Sequence, residues 1–499
     1  MRRCSRWVLV LGLSVFCMMP AAQAAPLGNA IANESGSKML VNAGNAIQGT
    51  CAPLAAKLTQ TPLVGAEQDL YFRCNEMLGT YGLPTSSNPN TYGYAVGAAG
   101  NSDRANAVRQ FSGEEASSQR RLTADGSNRQ FQGIGARMDA IRHGARSTNS
   151  GMGMSFNGTD SVSPAPRGID AAPTGGAAGD EADSDTGWAW FGDVDYGYAN
   201  RDRTPREDGY DSDFYGGTLG VDYGFVSGLV VGAAVGYQNY DADLASGNFD
   251  GLTSPTAGGD VNGDGYTASG YATFNVDDYF LSGIVSYGST DFDVERKAFF
   301  LPGTLAGGRP DAQGFQINRT YRGDTESDQV SAEATFGGVV IQDGAFSLDS
   351  YMKLVYLSAH IQGYTEKETD NSGGTTTPGL ALKYGGQDVD STQAALGFTM
   401  RRSFNTGFGV VVPYVGGEWW YVSNGNSGVL KYSYAFALPG ANPSFATPTD
   451  NSDKDFGLLT GGISAQFARN VSLFVQYEGL VGLSNTSGGM ATIGLRGTF

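Results

Sequence analysis

From Gly187 to the end of the chain, polar and apolar side chains alternate in one segment after another. In the last segment Ile493 and Leu495 share one face of a strand, while Thr492 and Arg496 share the other. A wall built from such strands has an apolar side for lipid and a polar side for water. We predict twelve strands, at approximately 187–199, 209–225, 229–241, 264–276, 279–294, 324–341, 345–362, 387–403, 408–422, 453–467, 470–482 and 489–499.

The connections between these segments alternate between short and long. The short turns lie at 226–228, 277–278, 342–344, 405–407 and 468–470, and the long polar connections at 242–263, 295–323, 363–386 and 423–452. Short turns at one end and longer loops at the other are typical of outer-membrane barrels, and only a closed barrel pairs every strand backbone group in a bilayer. The predicted fold class is therefore membrane all-β, a twelve-stranded antiparallel outer-membrane β-barrel over 187–499. The even strand count places both ends of the barrel on one side.

Composition agrees with a barrel and argues against a helical membrane protein. Glycine accounts for 74 of the 499 residues, and only 16% of the residues are charged. A membrane-spanning helix needs about 18 or more consecutive apolar residues, and the sequence contains no such run.

The first 24 residues have the three parts of an export signal. Three arginines precede an apolar run from Trp7 to Met19, and Ala-Gln-Ala follows at 22–24. We predict cleavage after Ala24 and the Sec translocon as a partner during export. Loss of the three arginines would change the net charge from −18 to −21.

Two cysteines, Cys51 and Cys74, remain after the predicted cleavage. An isolated pair in an exported protein is usually a disulfide, and this one would stabilise its segment by about 3 kcal/mol. The alternative is two free buried thiols. Residues 25–100 are expected to form a small helical module, with one helix ending near Leu58 and a second over 63–78, so the disulfide would join a helical hairpin.

A long helix is predicted within residues 101–146. Ser112 and Glu115 have the spacing of a capping box, and the helix is expected to run to His143, about 45 Å. Its front half has no apolar stripe, so the helix needs a polar or mixed environment. Its second half carries four apolar residues on one face, namely Phe131, Ile134, Met138 and Ile141. Residues 147–186 are rich in Gly, Ala, Ser and Asp and are predicted to be a flexible linker.

Three stretches resemble segments of the autotransporter, or type V secretion, family. They are Gln-Phe-Ser-Gly-Glu-Glu at 110–115, Pro-Tyr-Val-Gly-Gly-Glu at 413–418 and Ala-Thr-Ile-Gly-Leu-Arg-Gly-Thr-Phe at 491–499. The resemblance covers about 187–499 as the translocator barrel. It implies that a helix occupies the pore and that the barrel-assembly machinery reads a C-terminal signal, in which we place Ile493, Leu495 and Phe499.

The charge distribution also favours a helix in the pore. Residues 26–150 carry a net charge of +2, which leaves −23 for the rest of the predicted mature chain. A twelve-stranded barrel lies between filled eight-stranded barrels and water-filled porins, so it could admit one helix about 10–12 Å across. The alternative is that the arginines form a solvated face. The candidate pore-helix residues are Arg120, Arg129 and Arg137, and the candidate lumen-wall residues are Asp193, Asp195, Glu418 and Glu478.

No pattern in the sequence indicates catalysis. The chain has only two histidines, His143 and His360, and no nucleophile elbow. Residues 260–265 resemble the start of a calcium loop, but Tyr271 stands where the bidentate acid is needed, so we predict an outer-loop turn there. We expect no catalytic residue, metal, cofactor or nucleic-acid partner.

The leading functional hypothesis is an autotransporter-type translocator that exports or anchors its own helical module at the surface of a Gram-negative bacterium. The second is a passive outer-membrane channel or structural protein whose N-terminal module stays in the periplasm. The third is a surface adhesin or enzyme that acts through the outer loops. The expected partners are outer-membrane lipid, the barrel-assembly machinery and the Sec translocon, and we expect a monomer.

Overall fold

The computed structural model describes most of the barrel and three helices. It describes residues 28–29, 32, 38–78, 108, 110, 112–113, 115–142, 186–204, 206–207, 209–244, 258–300, 317–371, 378–423, 428–438, 445–450, 453–467 and 471–498. The predicted signal peptide, the predicted linker up to residue 185, the turn at 468–470 and Phe499 lie outside these residues.

The helices agree broadly with the sequence prediction. Helix α1 spans Lys38–Leu58 and is longer than expected, α2 spans Ala66–Leu78, and α3 spans Glu115–Arg142, while the predicted last residue, His143, lies outside the described residues. Helices α1 and α2 are in contact and form the N-terminal module. Cys51 is buried in α1, but the side chain of Cys74 lies outside the description, so their cross-link stays a prediction.

Seventeen strands follow within the described residues. They are β1 (Gly187–Arg201), β2 (Tyr210–Gly224), β3 (Leu229–Leu244), β4 (Gly259–Val276), β5 (Tyr279–Phe300), β6 (Ile317–Asp343), β7 (Phe346–Ile361), β8 (Lys367–Asp370), β9 (Leu382–Tyr384), β10 (Gln387–Arg402), β11 (Phe404–Thr406), β12 (Gly409–Val422), β13 (Val429–Tyr434), β14 (Phe445–Pro448), β15 (Asp455–Phe467), β16 (Val471–Val481) and β17 (Thr486–Thr498).

Twelve of these strands form a closed antiparallel barrel, which confirms the predicted fold. The wall runs β1 to β7 in sequence order and continues through β10, β12, β15, β16 and β17. It closes where β17 pairs with β1, from Ala189 opposite Thr498 to Arg201 opposite Thr486.

The two ends of the barrel differ. At the turn end lie the short connections that follow β2, β4 and β6, together with the start of β1 and the end of β17. Gly228 and Gly344 sit in turns there at φ values of 77° and 56°, which glycine adopts without steric strain. At the loop end lie the long connections that follow β3, β5, β7 and β12.

The loop end contains more strand than predicted. Residues 260–265, expected as a turn, lie inside β4, and β5 and β6 pair as far as Phe300 opposite Ile317. The predicted loops 363–386 and 423–452 hold β8, which pairs with β6, and a separate sheet of β9, β13 and β14. We call β9, β13 and β14 the platform sheet. The predicted turn at 405–407 is mostly strand β11, which pairs with β12.

The barrel wall has one apolar and one polar face, as the alternation predicts. In β16, Val475 and Tyr477 are exposed on the outside, whereas Gln476 and Glu478 are buried on the inside. Ile493 and Leu495 also face outward on β17.

A lysine on the outer face should test the predicted contact with lipid. Val285 on β5 is 61% exposed, so in a bilayer Val285→Lys should lower the free energy of unfolding by about 2–4 kcal/mol. The control is Asp291→Lys, which lies on the same face nearer the loop end and should cost about 0–1 kcal/mol. Urea unfolding in lipid vesicles measures both. Equal losses in the two variants would contradict a lipid boundary between them.

Candidate functional site

Helix α3 crosses the barrel lumen from the loop end to the turn end. Near its start, Arg120 donates to the carbonyl of Asp388, the second residue of β10, at 2.7 Å. Near its end, the Arg142 guanidinium lies 3.8 Å from the ring centre of Phe280, beside the turn between β4 and β5. The chain therefore enters the lumen at the loop end and leaves it at the turn end.

The apolar face of α3 packs against the inner wall. Phe131, Ile134 and Met138 are buried in a cluster with residues of β1, β3, β4, β5 and β7. These wall residues are Phe191, Ala234, Tyr271, Ile284 and Val355. The front half of α3 combines polar contacts, such as Thr123 with Ser327 at 3.4 Å, with a few apolar residues, of which Ala116 and Leu122 are buried in the larger apolar cluster at the loop end. The lumen therefore provides the mixed polar and apolar environment that the sequence analysis predicted for this helix.

Arg137 makes the most enclosed ion pair in the lumen interior. Its Nε and Nη2 donate to the two carboxylate oxygens of Asp222 on β2, at 2.7 and 3.0 Å. Both side chains are at most 1% exposed, and the hydroxyl of Tyr271 donates to the same carboxylate at 3.0 Å. Sequence reasoning missed Asp222, because nothing local in the sequence sets it apart from the other aspartates in the strands.

The other two predicted pore-helix arginines make different contacts. The Arg129 guanidinium lies 3.1 Å from the ring centre of Phe214 and 4.7 Å from that of Tyr240, where the ring faces attract the cation. Arg120 donates to a backbone carbonyl. The positive charge of Arg129 also interacts with the carboxylate of Asp195, one of the wall acids that the sequence analysis proposed as partners.

The predicted wall carboxylates lie on the inner face but differ in surroundings. Asp193 is buried close to α3, since a Cβ added at Gly133 would lie 3.1 Å from its Oδ1. Asp195 is half-buried two residues along β1. Glu418 pairs with Lys353, a wall residue, at 2.7 Å, in place of the expected helix arginine.

Glu478 is enclosed by neighbouring wall residues. Its Oε1 accepts from the side chain of Gln476 at 2.8 Å. The side chains of Tyr351 and Trp420 both donate to the nearby Glu418, each at 2.8 Å. These acids therefore belong to a hydrogen-bonded patch of the wall.

At the turn end, wall arginines hold the last turns of α3. Arg401 Nη2 donates to both carboxylate oxygens of Asp139, at 2.6 and 2.7 Å, and Nη1 to Asp349. Arg496 of β17 donates to the carbonyl of Ala136 at 2.9 Å. Arginines placed near the C-terminal end of a helix are favourable because their positive charge lies near the negative end of the helix dipole.

The helix does not fill the lumen. A cavity of about 670 Å³ lies beside it, lined by Ala124 and Gly135 on α3 and by polar wall residues. The charged wall residues among them include Glu333, Lys353, Arg401, Glu418 and Glu478.

At the loop end, a buried ion-pair network joins the N-terminal module to the barrel. Arg319 of β6 donates to both carboxylate oxygens of Asp69 on α2, at 2.6 and 2.9 Å, and to Glu368 of β8 at 2.7 Å. The backbone N–H of Gly379 also donates to Asp69, at 2.9 Å. Burial raises the pKa of Glu368, and the positive charge of Arg319 opposes that shift. We call Asp69, Arg319 and Glu368 the latch.

Apolar packing surrounds the latch. Leu40, Ile47 and Leu54 of α1 are fully buried in one cluster with residues of the platform sheet. The platform residues in this cluster are Leu382, Tyr384, Leu430, Tyr432, Tyr434 and Phe445. The module is thus packed on the loop end of the barrel.

Two other kinds of site were sought in the part of the chain that the structure describes. None of the described helices is both long enough and apolar enough to cross a membrane. The described residues also contain no cluster of three or more potential metal ligands from His, Cys, Asp and Glu.

A closed antiparallel barrel with an apolar exterior, a polar interior and a helix across its lumen defines an integral β-barrel membrane protein. Residues 190–478 match the family model described as the autotransporter beta-domain. The match spans more than half of the chain, so the protein belongs to this family of Gram-negative outer-membrane barrels. The matched domain is a translocator domain and not an enzyme domain.

Solved structures with a similar fold include three autotransporter domains. The translocator domain of NalP from Neisseria meningitidis is 12% identical, with a TM-score of 0.44 over 63% of this chain and 89% of that one. The beta domain of the Bordetella autotransporter Brka is 17% identical, with a TM-score of 0.38 over 63% and 100%. The transport unit of AIDA-I from Escherichia coli is 12% identical, with a TM-score of 0.39 over 62% and 90%. No curated protein matches the chain significantly.

The Arg137–Asp222 pair gives a test of how α3 is held. Asp222→Asn should destabilise the protein by about 3–5 kcal/mol, because it leaves a buried charge without its counter-ion. The double variant Arg137→Met with Asp222→Leu should recover much of that loss, since it removes both charges. Denaturant unfolding of detergent-folded protein measures the difference. The control is Glu67→Gln in the partly exposed Lys57–Glu67 pair, which should cost about 1 kcal/mol or less. If Asp222→Asn costs no more than the control, this pair does not hold the helix.

Proposed function

We propose that the protein moves its N-terminal helical module across the outer membrane through its own barrel and then holds the module at the cell surface. The observation that carries this proposal is the path of the chain. The module packs at the loop end, α3 crosses the lumen, and β1 starts at the turn end.

The direction follows from the architecture of outer-membrane barrels. Their short turns face the periplasm and their long loops face the exterior. If this barrel is oriented in that way, both of its ends are periplasmic and the module lies outside. Because β1 starts at the periplasmic end, the module can reach the exterior only by crossing the membrane.

The latch supports retention of the module. Asp69 and Arg319 are each at most 3% exposed and are joined by two hydrogen bonds, and Leu40, Ile47 and Leu54 are buried beside them. Separating the module would leave a buried charge on each side without its partner, which is strongly unfavourable. The exported module therefore stays bound to the barrel that exported it.

The proposal includes several steps before and during assembly. They are passage through the Sec translocon, cleavage after Ala24, joining of Cys51 and Cys74, and insertion as a monomer into outer-membrane lipid by the barrel-assembly machinery. The outward-facing Ile493 and Leu495 would belong to the assembly signal together with Phe499. The module acts as a surface-displayed domain without an enzymatic activity of its own.

Labelling of intact cells tests where the module lies. Val64, between α1 and α2, is 72% exposed, so Val64→Cys should react with a membrane-impermeant maleimide on intact cells. Lys367→Cys at the loop end is the positive control, and Asp278→Cys at the turn end should react only after permeabilisation. The parent chain gives the background from Cys51 and Cys74. Protection of Val64→Cys on cells in which Lys367→Cys reacts would refute export of the module.

The cavity beside α3 favours a second candidate function, a restricted channel. Deletion of residues 115–142 should raise the conductance in planar bilayers steeply, because α3 is then absent from the lumen. The opened pore should prefer cations, since Asp193, Asp195 and Asp222 would line it without the arginines of α3. The parent protein should conduct little. If the parent and the deletion variant conduct equally, α3 does not restrict the pore, and the restricted-channel proposal is wrong.

A further inference from the structure

Gln110, shortly before the start of α3, contacts a fully enclosed arginine at the loop end. Arg296 of β5 is 1% exposed, and its Nη1 donates to the backbone carbonyl of Gln110 at 2.7 Å. Arg296 is not part of the latch or of the lumen contacts described above, so the roles proposed so far leave it unexplained.

Arg296 is held in place by residues of the barrel wall and of its loop end. Its Nε and Nη2 donate to the two carboxylate oxygens of Glu366, at 3.0 and 2.6 Å. Glu366 also accepts from the backbone N–H of Leu382 at 2.8 Å and from the hydroxyl of Tyr384 at 3.2 Å. The guanidinium lies 3.7 Å from the ring centre of Tyr321. These contacts leave Nη1 directed at the passing segment, and a buried donor is costly when it has no acceptor.

Tyr384 restricts which residue can sit beside it. A Cβ added at Gly113 would lie 2.0 Å from the Tyr384 hydroxyl oxygen and 2.6 Å from two of its ring carbons. The ring is fixed by stacking on Tyr364 at 4.6 Å, by contact with Tyr432 at 5.5 Å and by its bond to Glu366. Because the ring is fixed on these sides, only glycine fits at position 113.

We propose that Arg296, Glu366 and Tyr384, which we call the collar, form a binding site for Gln110 and Gly113 ahead of α3 and fix the point at which the exported chain stops in the lumen. The inference rests on the proposed function, because a stopping point matters only for a chain that moves. The collar binds two features of the chain: Arg296 donates to the backbone carbonyl of Gln110, and Tyr384 leaves room only for a glycine at position 113. Once these are bound, α3 lies at the depth where Arg137 meets Asp222.

A disulfide can report that depth. A Cβ added at Gly133 of α3 would lie 3.1 Å from Thr218 Oγ1 on β2, and the Cβ atoms of a disulfide lie about 3.8 Å apart. The double variant Gly133→Cys with Thr218→Cys should therefore form a cross-link upon oxidation in native membranes when the helix is fully seated. The cross-linking yield is measured as the loss of free thiols that react with a maleimide-polyethylene glycol. The thiols that react in the parent chain are subtracted as background.

Two variants weaken the collar from opposite sides. Gly113→Val changes only the passing segment, and Arg296→Met changes only the wall. Each should lower the cross-linking yield at least about fivefold. The matched control is Arg322→Met, because Arg322 lies opposite Glu295 on the same strand pair, is 67% exposed and does not touch the segment, so its yield should equal that of the parent.

Unchanged yields in both Gly113→Val and Arg296→Met would overturn the collar proposal. If Arg296→Met fails to give a heat-modifiable barrel, Gly113→Val decides, since it leaves every wall residue intact. The proposed function is judged separately by labelling Val64→Cys from outside. If Val64→Cys is labelled from outside and both collar variants keep the parent's cross-linking yield, only the collar proposal is refuted. If Val64→Cys is protected in the otherwise unchanged protein, export itself is refuted.

Discussion

Pairing between β17 and β1 is the constraint on which the rest of the structure depends. A wall surrounded by lipid must satisfy every backbone N–H and C=O from within, so the first and last strands have to meet along their length. They do so from Ala189 opposite Thr498 to Arg201 opposite Thr486. Closure creates an interior shielded from lipid, and it places polar side chains of all twelve strands around that interior. It also fixes both ends of the barrel at the turn end.

The interior explains a helix that would be poorly stable in water. Glycines lower the intrinsic helicity of α3, and its front half has no continuous apolar stripe. Inside the barrel its apolar second half meets Phe191 and Tyr271, while Thr123 finds a hydroxyl partner on the wall. The Arg137–Asp222 pair requires desolvation of two charges, so its main contribution is to fix the depth and rotation of the helix.

The sequence predicts the barrel well because its signal is local. Alternation within each strand and turns such as that at Gly228 need no knowledge of distant partners. The platform sheet was missed because its strands have three to six residues and pair across long gaps, as Tyr432 does with Tyr384. The sequence predicted that the arginines of α3 face acidic wall residues, but it did not predict which acid pairs with which arginine. The depth and rotation of the helix decide which carboxylate faces Arg137. Neither quantity can be predicted from a local sequence pattern.

The path of the chain has a mechanical consequence. A pair of packed helices sits on one side of a lumen that one helix already occupies, and the wall closes around that helix. In topological terms the ring and the axle of a rotaxane are present within one covalent molecule, with the module as the stopper. If the module is exported as proposed, its retraction would draw a folded helical pair into a lumen that now holds one helix. The persistence of the interlocked state would then depend on the unfolding rate of a small helical pair, a kinetic property separate from the stability of the barrel.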